Sequence, residues 1–288
     1  MDLLIVGNLG PVFEWVRDGI RAASGLPRVA VSDPGLLAAE PGTPAERLCW
    51  TNHLTPALAE AVHQGRLRVI ATFDLPADAL AAVDLTPPLA MRRIAATLYA
   101  QGDLLGAPHV MQADQESDPA MLLAHCGLAE TGFPPLRNGT NSNSEFTELL
   151  APAYAYARHR HRLPQIWPRS LLLDGDHPDQ PLPRVINLTG PARTLAYGPY
   201  IGFSPGPARL SAVLAVAPSC RHAEMAIELH GGAPLGRGQF TLTAPGIFAA
   251  EIDVNIPSAR AALEIRLKST RGAIEGEIGI DHVTLTPV

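Results

Sequence analysis

The sequence predicts two fold classes in series: an α/β domain built as a three-layer parallel sheet, then an all-β antiparallel sandwich of jelly-roll type. Three observations predict this. Up to about Arg162, short β-branched runs alternate with helical stretches, the pattern of a parallel sheet covered on both faces. From about Val185 helix signals nearly vanish, and short runs alternate apolar with polar residues between turn signals, as in antiparallel sandwiches. Between them lies a proline-studded stretch that resists both helix and sheet. The expected boundaries are 1–163 for the α/β domain, 164–184 for a Pro-rich linker and 185–288 for the sandwich.

Asp2-Leu3-Leu4-Ile5-Val6 reads as a buried strand, Gly7-Asn8-Leu9-Gly10 as a tight loop and Pro11 to Ala23 as a helix. Pro11 sits in the first turn, where a missing N–H costs nothing. Arg28 to Ser32 and Arg68 to Phe73 are strand-like. Helices are expected over Pro56 to Gln64 behind the cap-like Thr55, Pro88 to Gln101, Pro119 to Cys126 behind Asp118, and Glu145 to His161 behind Ser144. In the second half, Leu210 to Val216, Met225 to Leu229, Phe248 to Val254, Ala262 to Lys268 and Ile278 to Leu285 alternate as strands. Pro205-Gly206-Pro207, Gly231-Gly232, Pro245-Gly246 and Arg271-Gly272 punctuate them.

Composition narrows the function. A formal charge of −6 with scattered arginines argues against a nucleic-acid face. No segment approaches the ~18 uninterrupted apolar residues of a membrane span. Met1-Asp2-Leu3 lacks the basic start of a signal peptide, so a cytoplasmic location is expected. The Arg-over-Lys bias, with abundant Ala, Pro and Gly, has the look of a GC-rich bacterial genome. Cys49, Cys126 and Cys220 have no paired spacing and read as buried thiols.

Strand, glycine loop and helix N-terminus is the geometry that cradles a phosphate. A working loop also carries a lysine and a Ser or Thr. Here Asn8, Leu9, Pro11 and Val12 stand instead, and the chain's single lysine is Lys268. Further on come Trp50-Thr51-Asn52-His53-Leu54-Thr55, then Arg68 to Phe73 leading into Asp74-Leu75-Pro76-Ala77-Asp78. In order and spacing these segments resemble the sulfotransferase family over about the first 160 residues. Val110 to Asp114, Asp118-Pro119 and Cys126-Gly127-Leu128 resemble that family's later strand and helix.

The resemblance implies a phosphate-loop-derived fold with Gly7, Asn8, Gly10, Asp74 and Asp78 at the donor site and His53 as general base. Leu54, Pro76 and Asp78 follow the family pattern. Asn8 replaces the loop lysine, Asp74 the arginine that meets the donor's 3′-phosphate, and Ala82 the serine that supports it. An aspartate against a phosphate sets like charge on like charge, which in a partly desolvated site costs on the order of several kcal/mol. The implied protein is a non-catalytic or diverged accessory protein that needs no cofactor. Two alternatives remain: a transferase whose loop amides hold the anion and whose base is His53, and a structural module for oligomer assembly. The favoured reading of His53 from the residues themselves is a cap or hydrogen-bonded structural residue at the helix near Pro56, because a base without a donor site has nothing to do.

Tyr197-Gly198-Pro199-Tyr200-Ile201-Gly202-Phe203-Ser204-Pro205-Gly206 resembles the opening of small carbohydrate-binding-module-like sandwiches attached to bacterial glycosyl- and methyltransferases of surface polysaccharide synthesis. That likeness implies a glycan, or an enzyme of polysaccharide synthesis, as partner, with Tyr197, Tyr200 and Phe203 as candidate platforms for sugar rings; core packing is the competing reading. Glu264 and Arg266 share one face of a strand. Arg158 to Arg162 reads as a solvated, cationic helix end, and Asp174, Asp176, His177 and Asp179 as a polar turn; no metal site is expected at either.

Overall fold

The structure, a computed structural model, describes residues 2–8, 10–24, 28–30, 48–51, 54–128, 133–136, 145–220 and 222–288. The chain divides into two compact units, Met1–Arg160 and His161–Val288.

The first unit holds a parallel sheet of β1 (Asp2–Val6), β2 (Arg28–Ala30), β3 (Leu48–Thr51), β4 (Leu67–Thr72) and β5 (Val110–Ala113), in the order β2-β3-β1-β4-β5. Its helices are α1 (Pro11–Ser24), α2 (Pro56–His63), α3 (Pro76–Ala81), α4 (Pro87–Leu104), α5 (Pro119–Cys126), α6 (Glu145–Leu149) and α7 (Ala151–His159). Successive residues of β1 point to opposite faces, and both faces are covered. Leu3 and Ile5 pack with Val12, Phe13, Val16 and Ile20 of α1 and Leu122 and Leu123 of α5. Leu4 and Val6 pack with Leu58 and Val62 of α2 and Leu104 of α4. This is why β1 reads as an unbroken apolar run: a central parallel strand has no wet face. Among the described residues, no helix is long and apolar enough to cross a membrane.

The expected helix over Glu145 to His161 is two helices, α6 and α7, divided at Leu150. Pro152 stands in the first turn of α7, where the absent N–H prevents an i→i−4 bond from an earlier turn. The cationic run behind it stays at the surface, with His159, Arg160 and His161 exposed, and its arginines are also hydrogen-bonded. Arg158 pairs with Asp114, Arg160 donates to the carbonyls of Gly102, Asp103 and Leu105, and Arg162 donates to Pro207 O at 2.6 Å.

The second unit pairs β6 (Gln165–Pro168), β10 (Gly206–Val216), β13 (Gly246–Ile256) and β15 (Glu277–Pro287) in the order β13-β10-β15-β6, with β8 (Ile186–Asn187) also on β15. A second sheet runs β12-β11-β14-β9-β7, with β7 (Leu173–Asp174), β9 (Arg193–Ile201), β11 (Ala223–His230), β12 (Pro234–Leu242) and β14 (Leu263–Ser269). Residues 164–184 are therefore no linker, since they supply β6 and β7. Both lie at sheet edges, the position in a sheet that tolerates a proline such as Pro168 at the end of β6. Strand β12 escapes sequence reading because Gly236 and Gly238 break its β-propensity. A Cβ at either position would lie 2.6 Å from a side-chain carbon of Val254 or Ile252, so glycine is what lets β13 pack against β12.

Candidate functional site

In the α/β unit, β1 and β4 are neighbours whose onward connections run to opposite sides of the sheet. The crevice outside the carboxyl ends of such a strand pair is where open α/β sheets bind ligands. Gln101 of α4, fully buried, ties the two ends together by donating to Val6 O at 2.8 Å and Thr72 O at 3.1 Å. Gly7 is required there, because a Cβ would fall 1.8 Å from Thr72 Oγ1.

The loop after β1 then meets Asp74. The Val12 amide at the start of α1 donates to Asp74 Oδ1 at 2.6 Å. A Cβ on Gly10 would sit 2.4 Å from Asp74 Cγ. The helix N-terminus thus holds a carboxylate of its own chain, in the place where a phosphate loop holds its ligand. Asp74 is 3 % exposed, and its Oδ2 makes no hydrogen bond. Burial pushes its carboxyl up to about 7, with the α1 amides pulling it back and the Asp78 carboxylate adding to the rise. Asn8 and Asp78 are also buried, while Ala82 is exposed at the end of α3.

His53 lies outside the described residues. Thr55 fills the side-chain cap of α2, accepting from the Leu58 amide at 3.3 Å. Two residues that sequence reasoning missed also reach this corner. Tyr154 Oη donates to Asp74 O at 2.5 Å, and Arg158 lies over the Phe73 ring at 5.5 Å from its centroid. Their i, i+4 spacing on α7 was the one available signal, since it puts both on one helix face. A cavity of about 570 Å³ opens between them and the ends of β4 and β5. The thiols take no part: Cys49 and Cys220 are buried, and burial pushes Cys126 up to about 12.

The sandwich carries a different surface. The inward side chains of β11 and β14, among them Ile227, Leu229, Ile265 and Leu267, are buried. Their other face is polar and internally paired. Lys268 Nζ donates to Glu228 Oε2 at 2.7 Å, and His230 Nε2 lies 3.1 Å from the same oxygen. Burial lifts the Glu228 carboxyl, but the hydrogen bonds from Lys268 and His230 outweigh it and hold it below the carboxylate norm. Arg266 grips Glu264 through both carboxylate oxygens, at 2.8 and 2.9 Å. Tyr197 lies across the ladder from Arg266, and its ring meets Tyr200 edge to face, with centroids 6.3 Å apart. Both tyrosines are half-buried. Phe203 is 0 % exposed, so this candidate platform is a core residue whose ring serves the interior. The Asp174 turn is local, with the Asp176 amide and His177 Nδ1 both 2.9 Å from Asp174 carboxylate oxygens.

No family model matches the sequence, and no curated protein matches it. Among solved structures, TmCBM61 in complex with beta-1,4-galactotriose is 12% identical, with 43% of this chain and 88% of that chain covered and a TM-score of 0.28. The C-terminal CBM6 of LamC, from Zobellia galactanivorans, is 18% identical, with 43% and 98% covered and a TM-score of 0.28. The module CBM6cm-2 from Cellvibrio mixtus lichenase 5A, in complex with cellotriose, is 11% identical, with 44% and 99% covered and a TM-score of 0.29. Likeness at this level transfers no ligand to the present chain.

Proposed function

We propose that this protein is a non-catalytic accessory protein: an α/β unit of diverged sulfotransferase type whose donor site is closed by its own side chain, joined to a sandwich that binds a glycan or a polysaccharide-synthesis enzyme. The observation that carries the first half is the Asp74 carboxylate on the Val12 amide, with Gly10 packed against it. An incoming phosphate would meet a carboxylate where it needs amides and a cation. The same contact weighs against the transferase alternative, because the helix-start amide it needs for an anion is engaged.

The second half rests on the paired face of β9, β11 and β14. Tyr197 and Tyr200 offer aromatic surface for the C–H face of a sugar, and the Glu264–Arg266 fork offers donors and acceptors held in fixed geometry for hydroxyls. Calorimetry of the full chain against a panel of neutral and acidic oligosaccharides tests this. Saturable binding, weakened about tenfold by Tyr200→Ala, is expected, since a stacked ring contributes roughly 1–1.5 kcal/mol. Absence of binding to every saccharide, with no polysaccharide-synthesis enzyme retained on the immobilised protein, would sink the proposal.

A further inference from the structure

The polar face of β11, β12 and β14 is layered by charge. Glu228 stands directly across the ladder from Arg237 on one side and Arg266 on the other, and Tyr197 continues the same row on β9. Lys268 and His230 meet Glu228 from the neighbouring rows, and Arg237 Nε lies 3.6 Å from its Oε1. In each pair the carboxylate is the covered partner. The Glu228 and Glu264 side chains are 11 % and 13 % exposed, against 56 % for Arg237, 37 % for Arg266 and 29 % for Lys268. The order is reversed at Arg209 with Asp253 and at Arg17 with Asp18, where the acid is the more exposed. On a chain of formal net charge −6, this face therefore sets three permanent cations above two carboxylates. Being paired does not spend them, because a guanidinium carries five N–H donors and an ammonium three. The aromatic groups adjoin the same cluster: burial and the neighbouring Glu264 carboxylate push the Tyr200 hydroxyl up. The acidic turn at Asp174 lies at the opposite edge of the sheet from Arg237.

Resting on the reading of this face as a glycan site, we infer that its ligand is an acidic polysaccharide, one that carries carboxylates along its chain. Tyr197 and Tyr200 take a sugar ring, and Arg237, Arg266 and Lys268 take the acid groups. The covered Glu228 and Glu264 hold those cations in place, so little ordering is left to binding. A neutral glycan of the same shape gains nothing from the cationic layer, and a basic one is repelled by it.

Calorimetry of the full-length protein with oligosaccharides of hyaluronan, alginate and polygalacturonate, each beside its carboxyl-reduced neutral form, tests it. At least one acidic oligosaccharide is expected to bind, about tenfold or more tighter than its reduced form. That affinity should fall as salt is raised from about 0.03 to 0.3 M, because exposed charges are screened. Arg237→Gln, at an exposed side chain on an edge strand, should weaken the acid roughly three- to tenfold with no change in melting temperature, and Arg237→Lys should restore most of the loss. Equal binding of an acidic form and its reduced form would overturn the inference, as would an acid affinity that Arg237→Gln leaves unchanged. Binding of neutral saccharides alone would overturn it too, while leaving the glycan reading of the face in place. Absence of binding to every saccharide, acidic or neutral, would remove both.

Discussion

The Asp74 carboxylate accepts a 2.6 Å hydrogen bond from the Val12 amide, across 62 residues of sequence, and thereby caps α1 from the end of a different strand. A helix start leaves its first amides unsatisfied, and a neighbouring anion answers both their hydrogen bonds and the positive end of the dipole. Most helices find that group locally. Here the loop before α1 supplies Gly10, and the anion comes from the segment after β4. The same contact therefore stabilises the fold and removes the anion site.

Adenosine 3′,5′-bisphosphate should give no heat with the wild-type protein up to millimolar concentration. Asp74→Asn should not restore binding, because an isosteric amide still fills the space above Val12. A micromolar Kd for either protein would show that arginines elsewhere have rebuilt the site.

Stability should depend on pH through Asp74. Its folded carboxyl titrates at about 7 against an ordinary 3.8, so between those values the folded state keeps a proton that the unfolded chain has released. Stability from this group is full below about pH 4 and falls as pH rises toward 7, by at most roughly 4 kcal/mol. In Asp74→Asn that slope disappears. Urea midpoints at pH 5 and pH 8 should therefore differ less in the variant, and an unchanged difference would count against a strained carboxylate.

Gly10→Ala should destabilise the α/β unit by about 1–3 kcal/mol, because the new methyl meets a carboxylate that Val12 holds in place. Asp74→Ala removes a cap and should cost about 1 kcal/mol at pH 5. Combined, the two should cost less than their sum, since the second removes the clash created by the first. Strict additivity in denaturant melts would refute the contact.

In the sandwich, Phe203→Ala should cost about 3–5 kcal/mol, as expected for emptying a fully buried aromatic position, whereas Tyr200→Ala should change stability much less while weakening saccharide binding. Thermal unfolding of the two variants separates a core ring from a surface one.

Acid should loosen the polar face through Glu228. Its folded carboxyl lies below the ordinary 4.5, so its contribution is present above that value and is lost as pH falls through the lower folded value. Glu228→Gln should flatten that acid limb. A variant with the wild-type acid transition would show that Lys268 and His230 do not stabilise the folded state through it.

Much of this architecture is legible in the chain. The unbroken apolar run Leu3 to Val6 fixes a central parallel strand, and Pro119 to Cys126 is bounded by an Asp118 cap and Gly127 in the left-handed conformation at its end. The alternation of β14 places Glu264 beside Arg266, since residues two apart on a strand share a face. Other features are not legible. Strand β3 is too short to show a period, and α3 is a single turn or two whose apolar residues are mostly alanine. The prolines of residues 164–184 look like a linker, yet the stretch supplies two edge strands, β6, which ends on Pro168, and β7.

By itself the sequence determined the change from alternating strands and helices to strands alone, the missing lysine of the loop and the aspartate at position 74, because periodicity, punctuation and residue identity are local. Only the tertiary structure decided what that aspartate does. In the sequence Asp74 is a charge opposed to a phosphate; in the fold its carboxyl is itself the acceptor on α1, and that follows from two loops meeting at adjacent strand ends. Only the fold, too, buried Phe203 while leaving Tyr197 and Tyr200 half-exposed, because three aromatic residues within seven positions carry no mark of which side of a sheet each will face.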